Sequence, residues 1–190
     1  MVLFREELVE KHLYQKNKMK KLLLLFALLF AVYQSNAQTM EKSLEQRLAE
    51  IEDKMAIKNV VDRFSNLADT KEIDEQVLLF TEDGVVESIS NGMPSSKLVG
   101  RQQLKEVFSG FLAGFSTVYH QNGQQTIDLQ GDKASATSYC NVILVGKQEG
   151  KTIKTTLYTI YKDEFVKING QWLIKHRTSN FVWREVEEVK

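Results

Sequence analysis

The order of patterns along the chain predicts an α+β fold: a cone-shaped, strongly curved antiparallel sheet packed on N-terminal helices. Three observations carry it. Apolar residues recur at helical spacing through residues 44–67 and again through 104–115. From residue 117 onward the pattern changes to long β-rich runs joined by short turns.

Leu44, Leu48, Ile51 and Met55, then Ile57, Val60, Val61, Phe64 and Leu67, keep a helical period over several turns, so one long amphipathic helix is expected. Its first turns are charge-rich and project beyond the core, whereas the part from Ile57 to Ala68 packs. A short second helix is expected over residues 73–80. The turn Thr81-Glu82-Asp83-Gly84 follows, and β-branched residues make 85–89 a strand. Asn91-Gly92-Met93-Pro94 reads as a loop holding the one proline of the chain, with a short returning strand at 97–99. Gly100 opens a third helix whose face of Leu104, Val107, Phe108, Phe111, Leu112 and Phe115 is expected to lie against a sheet. Four strands are expected at 117–129, 133–148, 151–167 and 171–182. The turns at Gly131-Asp132, Glu149-Gly150 and Asn169-Gly170 join them, the last being the strongest hairpin signal.

A straight strand over residues 152–165 would stretch roughly 46 Å. A domain of this size is only about 38 Å across. The strands must therefore bend or bulge, and a bent sheet closed by helices encloses a concavity able to take a ligand.

Ahead of this domain, Lys20 and Lys21 precede an apolar run from Leu22 to Tyr33 and the small-residue stretch Ser35-Asn36-Ala37. That order is the layout of a secretory signal, with cleavage expected after Ala37 and a periplasmic or secreted product. The run would span roughly 18 Å as a helix. Bilayer hydrocarbon is roughly 30 Å thick, so a stable membrane span is not expected. Residues 1–18 read as an upstream extension before a start at Met19, and residues 38–190 as a single domain. Taking away residues 1–37 removes six Lys/Arg and three Asp/Glu from 25 of each, leaving 19 basic and 22 acidic residues. With no basic stripe, nucleic acid is not an expected partner. Cys140 is the one cysteine of the chain, so no intrachain disulfide is expected, and it reads as a small buried hydrophobe.

Several motifs stand in a telling order: the helix into Leu67-Ala68-Asp69, then 78–85, Val99-Gly100-Arg101, His120, 127–134, Tyr161-Lys162-Asp163, and Gly170-Gln171-Trp172-Leu173-Ile174. From about Leu44 to Trp183 the chain resembles the SnoaL-like branch of the nuclear transport factor 2-like superfamily, whose relatives include scytalone dehydratase, polyketide cyclases and steroid isomerases. The resemblance implies a cystatin-like α+β cone, frequent homodimers through the outer sheet face, and a small-molecule pocket. Fold alone leaves activity open, since many members have no catalytic role. In dehydratases of this type an aspartate matching Asp69 orients a histidine matching His120. The second histidine of that pattern is missing from the strand at 133–148.

His120 is the general-base candidate because an imidazole both takes and returns a proton near neutrality. Asp69 would fix its tautomer, and the two form the expected catalytic pair. Thr159, Tyr161 and Asp163 alternate along one strand, so a phenol and a carboxylate share a face and are substrate-binding candidates. Trp172 is most simply core with Ile174 on its face, and it is counted with Tyr161, Asp163 and His176 among the substrate-binding candidates. By the same parity His176 joins that face as the reserve candidate, and Arg177 takes the opposite one. The competing readings put Tyr161 against the helices, Asp163 at a solvent-facing strand end and His120 on a backbone carbonyl. No metal-ligand spacing, nucleophile elbow or phosphate loop is present, so no metal or cofactor is expected. The resulting expectation is cofactor-free lyase or isomerase chemistry on a small, largely apolar molecule. Its rivals are a non-catalytic receptor on the same cone and a structural dimer with a filled interior.

Overall fold

The computed structural model describes residue 16, residues 18–23 and residues 42–189. Of the apolar leader only Leu22 and Leu23 fall within this range, so the signal-peptide reading and its cleavage site lie outside the described residues. Among the described residues no helix is long and apolar enough to cross a membrane. The chain divides into two compact units, residues 1–48 and 49–190. The sheet and the site described below belong to the second, and only the first turn of the leading helix lies in the first.

Helix α1 spans Leu44–Thr70. Its start is a capping box: the Gln46 N–H donates to Ser43 Oγ at 3.2 Å, and the Ser43 N–H donates to Gln46 Oε1 at 3.0 Å. Its end is a Schellman turn, with Lys71 left-handed (φ 60), the Glu72 N–H on the Leu67 carbonyl and the Lys71 N–H on the Ala68 carbonyl. As expected, Ile51 and Met55 stay exposed, and burial begins at Ile57 and continues through Val61, Phe64 and Ala68.

Helix α2 is shorter than the sequence suggests, Ile73–Val77. Strand β1, Phe80–Ser90, claims Phe80, which pairs with Ile174 of the last strand. The expected turn at 81–84 is thus a distortion inside β1: the strand advances from Phe80 to Val85 while its partner advances only from Ile174 to His176. Two contacts brace the excursion, the Gly100 N–H on the Gly84 carbonyl and Arg101 Nε donating to the Phe80 carbonyl at 2.9 Å. Strand β2, Met93–Val99, is longer than expected and includes Pro94. It is an edge strand, where a missing N–H is tolerated.

Helix α3 covers Arg101–Ala113, and strands β3 (Thr117–Gln130), β4 (Lys133–Gln148), β5 (Lys151–Ile168) and β6 (Gln171–Glu188) complete the unit. The sheet order is β2-β1-β6-β5-β4-β3, curved and unclosed. Strands β3 to β6 form the expected antiparallel meander, and β1 joins β6 in parallel. Positive φ at both Glu149 and Gly150, and again at Asn169 and Gly170, matches the twist of tight hairpins. Bulges supply the bending: β3 carries an extra residue between Asn122 and Gln125, and β6 carries extra residues at Lys175 and Val182.

The α3 expectation needs correction. Leu104 and Leu112 are buried, but Val107 and Phe111 are 43% and 53% exposed. Rather than lying flat on the sheet, this helix face borders a cavity together with Phe108 and Phe115.

Candidate functional site

A cavity of about 730 Å³ lies between the concave sheet face, α1 and α3. Phe64 and Ala68 of α1, Phe108 and Leu112 of α3, and Val142 and Leu144 of β4 make its walls largely apolar. Its polar lining includes His120, Gln76, Tyr161 and Arg177, together with Ser88, Ser96, Thr155 and Ser179 among others. Apolar walls interrupted by polar groups are the composition of a small-molecule site.

Asp69 is the penultimate residue of α1, set there by the Schellman turn. A carboxylate is disfavoured at a helix C-terminus, by roughly 0.3–1 kcal/mol, because the backbone carbonyls there carry partial negative charge. His120 of β3 compensates twice. Its backbone N–H donates to Asp69 Oδ2 at 3.1 Å, and its ring Nδ1 lies 2.6 Å from Asp69 Oδ1. A carboxylate only accepts, so Nδ1 carries a proton, and in the neutral imidazole Nε2 is the nitrogen with the lone pair. The His120 side chain is only 6% exposed and lines the cavity, with Asp69 behind it.

Ser65 and Asp62, one and two turns earlier on α1, hold Asn122 of the same strand. Asn122 Nδ2 donates to Asp62 at 3.1 Å and Ser65 Oγ donates to Asn122 Oδ1 at 3.0 Å. Helix and strand are therefore locked together beside the Asp69–His120 pair.

On β5 the alternation holds, and Thr159, Tyr161 and Asp163 all point inward and are buried. Asp163 faces neither solvent nor cavity. Its two oxygens accept from Arg177 Nε at 2.7 Å and Nη2 at 2.8 Å, with both side chains fully buried. The Arg177 guanidinium also lies between two rings, 4.2 Å from the Phe64 centroid and 4.3 Å from that of Tyr161. Burial pushes the Tyr161 phenol well up, so it stays protonated and acts as a donor across the physiological range.

The parity reading of β6 is overturned by the bulge at Lys175. Glu164 pairs with His176 but Phe165 pairs with Ile174, so alternation restarts one residue late. Arg177 therefore joins Ile174 on the inner face, and His176 turns to the outer one, its Nε2 3.2 Å from Glu87. His176 does not reach the cavity, and among the described residues the cavity holds one imidazole. Trp172 is buried away from the cavity, its indole N–H donating to Asp53 at 2.8 Å beneath α1. Cys140 is buried as expected, and burial raises its thiol to about 12, which leaves it inert.

Two cavity groups escaped the sequence reading. Arg177 Nη1 and Gln76 Oε1 are buried without a hydrogen-bond partner, although both residues line the cavity. Leaving such a group unsatisfied costs about 1–3 kcal/mol. Nothing in the pattern around residue 76 distinguishes it from a surface glutamine on a short helix.

Among the described residues no three His, Cys, Asp or Glu side chains converge as metal ligands. The cavity lining combines an imidazole, His120, with two hydrogen-bond-donating residues, Tyr161 and Arg177. Such a set can take a proton from carbon and receive charge on oxygen.

Comparison with known proteins agrees with this architecture. An uncharacterized protein of Mycobacterium tuberculosis is 26% identical over 132 residues, 68% of this chain and 86% of its own length. Among solved structures, a protein of Novosphingobium aromaticivorans carrying the provisional designation scytalone dehydratase superposes with TM-score 0.63 at 25% identity, covering 74% of this chain and 91% of its own. An NTF2-like protein with a cystatin-like fold from the same organism gives TM-score 0.58 at 19% identity, covering 74% and 91%. A hexachlorocyclohexane dehydrochlorinase, LinA type 2, gives 0.62 at 12% identity, covering 76% and 93%. The last two show the fold alone. The profile of the SnoaL-like domain matches residues 49–178, so this chain belongs to the SnoaL-like family of the NTF2-like, cystatin-like fold.

Proposed function

We propose that the protein acts on a small, largely apolar carbonyl compound held in this cavity, moving a proton at the carbon next to the carbonyl without a cofactor. His120 Nε2 is the general base, and Asp69 is its positioning residue. The observation that carries the reading is the Asp69–His120 contact at 2.6 Å with the ring lining an apolar cavity. When the carbon–hydrogen bond breaks, its electron pair moves onto the carbonyl oxygen as an enolate. Tyr161 and Arg177 supply donors toward that charge. Nε2 then returns the proton at another carbon, an isomerisation, or a group leaves from the next carbon as the enolate collapses, an elimination. The dehydratase designation of the Novosphingobium relative supports the elimination outcome.

The test follows deuterium entering the methyl group of acetophenone in heavy water by NMR, because exchange needs only proton abstraction beside a carbonyl. Catalysed exchange that disappears in His120→Ala is expected. Exchange no faster than in buffer, or unchanged in His120→Ala, removes the proton-transfer mechanism.

Export through the leader at residues 20–37 is part of the proposal, supported by its basic, apolar and small-residue order. N-terminal sequencing of chain recovered from the cell envelope is expected to begin at Gln38. A chain retaining Met19 there would refute cleavage.

A further inference from the structure

We propose that Arg184 is a specificity-determining residue at the cavity mouth that selects ligands carrying a carboxylate at the end away from the reacting carbonyl. The inference rests on the cavity reading above and narrows its substrate class to keto acids with an apolar body.

His120, Val142, Leu157 and Arg184 stand side by side in one row across β3, β4, β5 and β6, each in register with the next. All four line the cavity. Neighbouring strands lie about 4.8 Å apart, so the row sets the backbones of His120 and Arg184 roughly 14 Å apart, with two aliphatic side chains between them. The bulge at Val182 brings Arg184 into the row. Arg177, Ser179 and Phe181 line the cavity by alternation, and unbroken alternation would carry Glu185, not Arg184, to the inner face. The extra residue shifts the pattern by one, pairing Arg184 with Leu157 and leaving Glu185 on the outer face opposite Thr156.

Arg184 is solvent-exposed as well as cavity-lining, so a ligand can reach it. Among the described residues its side chain has no hydrogen bond or ion pair. The acids that follow it are engaged elsewhere: Glu185 accepts from Tyr158 at 3.1 Å, Glu187 from Lys154 at 2.6 Å and Glu188 from Lys151 at 2.8 Å. Arg177, the other arginine of the lining, is balanced by Asp163, and no described Asp or Glu lines the cavity. At the far end of the row the Asp69 carboxylate lies behind His120. The row thus runs from a negative end at the base to a positive end at the mouth. A ligand carboxylate is repelled from the first and drawn to the second, which turns the carbonyl end toward His120. The guanidinium fork matches a carboxylate in two parallel hydrogen bonds, and at the mouth that carboxylate keeps part of its hydration.

The experiment measures binding to the whole chain by calorimetry for para-acetylbenzoate, its biphenyl homologue and the methyl ester of each, in the wild type, Arg184→Gln and Lys162→Gln. Lys162 is exposed and alternates with the buried Tyr161 and Asp163, so its variant removes the same charge from the outer face without touching the row. At least one acid is expected to bind on the order of tenfold tighter than its own ester in the wild type and in Lys162→Gln, with the ratio falling to near one in Arg184→Gln. No acid tighter than its ester in the wild type, a preference that survives Arg184→Gln, or one lost equally in Lys162→Gln overturns this proposal and leaves the cavity reading standing. No binding by any of the four compounds overturns both.

Discussion

Asp163 and Arg177 face each other across adjacent strands in direct register, joined by two hydrogen bonds of 2.7 and 2.8 Å with no solvent access to either side chain. Burial on its own would lower the Arg177 pKa, but the Asp163 charge outweighs it and holds the guanidinium protonated. Breaking such a pair leaves one uncompensated buried charge. Asp163→Ala is therefore expected to cost about 3–5 kcal/mol in urea denaturation. The double variant Asp163→Ala with Arg177→Leu is expected to lose less than the sum of the two single losses, since it removes the stranded charge. Additive losses would show that the pair is not coupled.

The geometry of Asp69 predicts an asymmetric response to two conservative changes. Asp69→Glu keeps a carboxylate for Nδ1–H, whereas Asp69→Asn offers an amide N–H that Nδ1 must accept, moving the proton to Nε2. A base with its lone pair turned away cannot abstract a proton. Asp69→Asn is expected to lower exchange into acetophenone by about 10²–10⁴-fold, comparable to His120→Ala, with Asp69→Glu retaining more. Equal rates in the wild type and Asp69→Asn would show that the tautomer is not set from this position.

How far the sequence reached depends on whether local rules survive tertiary structure. A helical period puts Asp69 at a helix end and a strand pattern puts His120 on β3, both local rules, whereas their pairing follows only from the family resemblance; in the structure Nδ1 lies 2.6 Å from Oδ1. The hairpin turns were legible because Asn-Gly and Glu-Gly chemistry is local as well. The exchange of His176 and Arg177 was not legible. It depends on one extra residue, Lys175, whose insertion against β5 leaves no mark in the hydrophobic pattern Trp-Leu-Ile-Lys-His-Arg. The exposed flank of α3 was misjudged for a related reason. An apolar helical face looks the same whether it meets a sheet or borders a hollow.

Acid stability is expected to have a component centred on Asp53. Partial burial pushes its carboxyl up, but hydrogen bonds from Lys167 at 2.7 Å and Trp172 at 2.8 Å, with the Lys167 charge, outweigh this and hold the pKa below the ordinary carboxylate value. A carboxyl depressed in the folded state contributes stability that is complete above its unfolded pKa, near 3.9 for an ordinary Asp, and is lost as pH falls through the folded value. Asp53→Ala also strands the buried Trp172 indole N–H, so a loss of about 1–3 kcal/mol at neutral pH is expected. The share of the loss owed to the Asp53 charge should vanish as the pH falls below the folded pKa, leaving the share owed to the unpaired indole. Tryptophan fluorescence during urea titrations at stepped pH measures both, and a loss independent of pH would remove the charge from the account.

Two glycines flanking the cavity helix should respond to alanine with opposite sign. At Gly146 of β4 an added Cβ would stand 2.7 Å from the Gly114 carbonyl oxygen and 3.2 Å from the Phe115 ring. The backbone there has little freedom to retreat, because the Ser116 N–H is tied to the Val145 carbonyl at 2.7 Å. Gly146→Ala is therefore expected to cost about 1–3 kcal/mol, and since Phe115 and Leu144 line the cavity, to weaken acetophenone binding as well. Gly110 lies inside α3 with nothing within 4 Å of a Cβ built on it. There alanine lowers the entropy of the unfolded chain without a clash, and Gly110→Ala is expected to stabilise by about 0.5–1 kcal/mol. Denaturation midpoints of the two variants check the contrast, and a destabilising Gly110→Ala would mean that α3 needs the flexibility of that glycine to border the cavity.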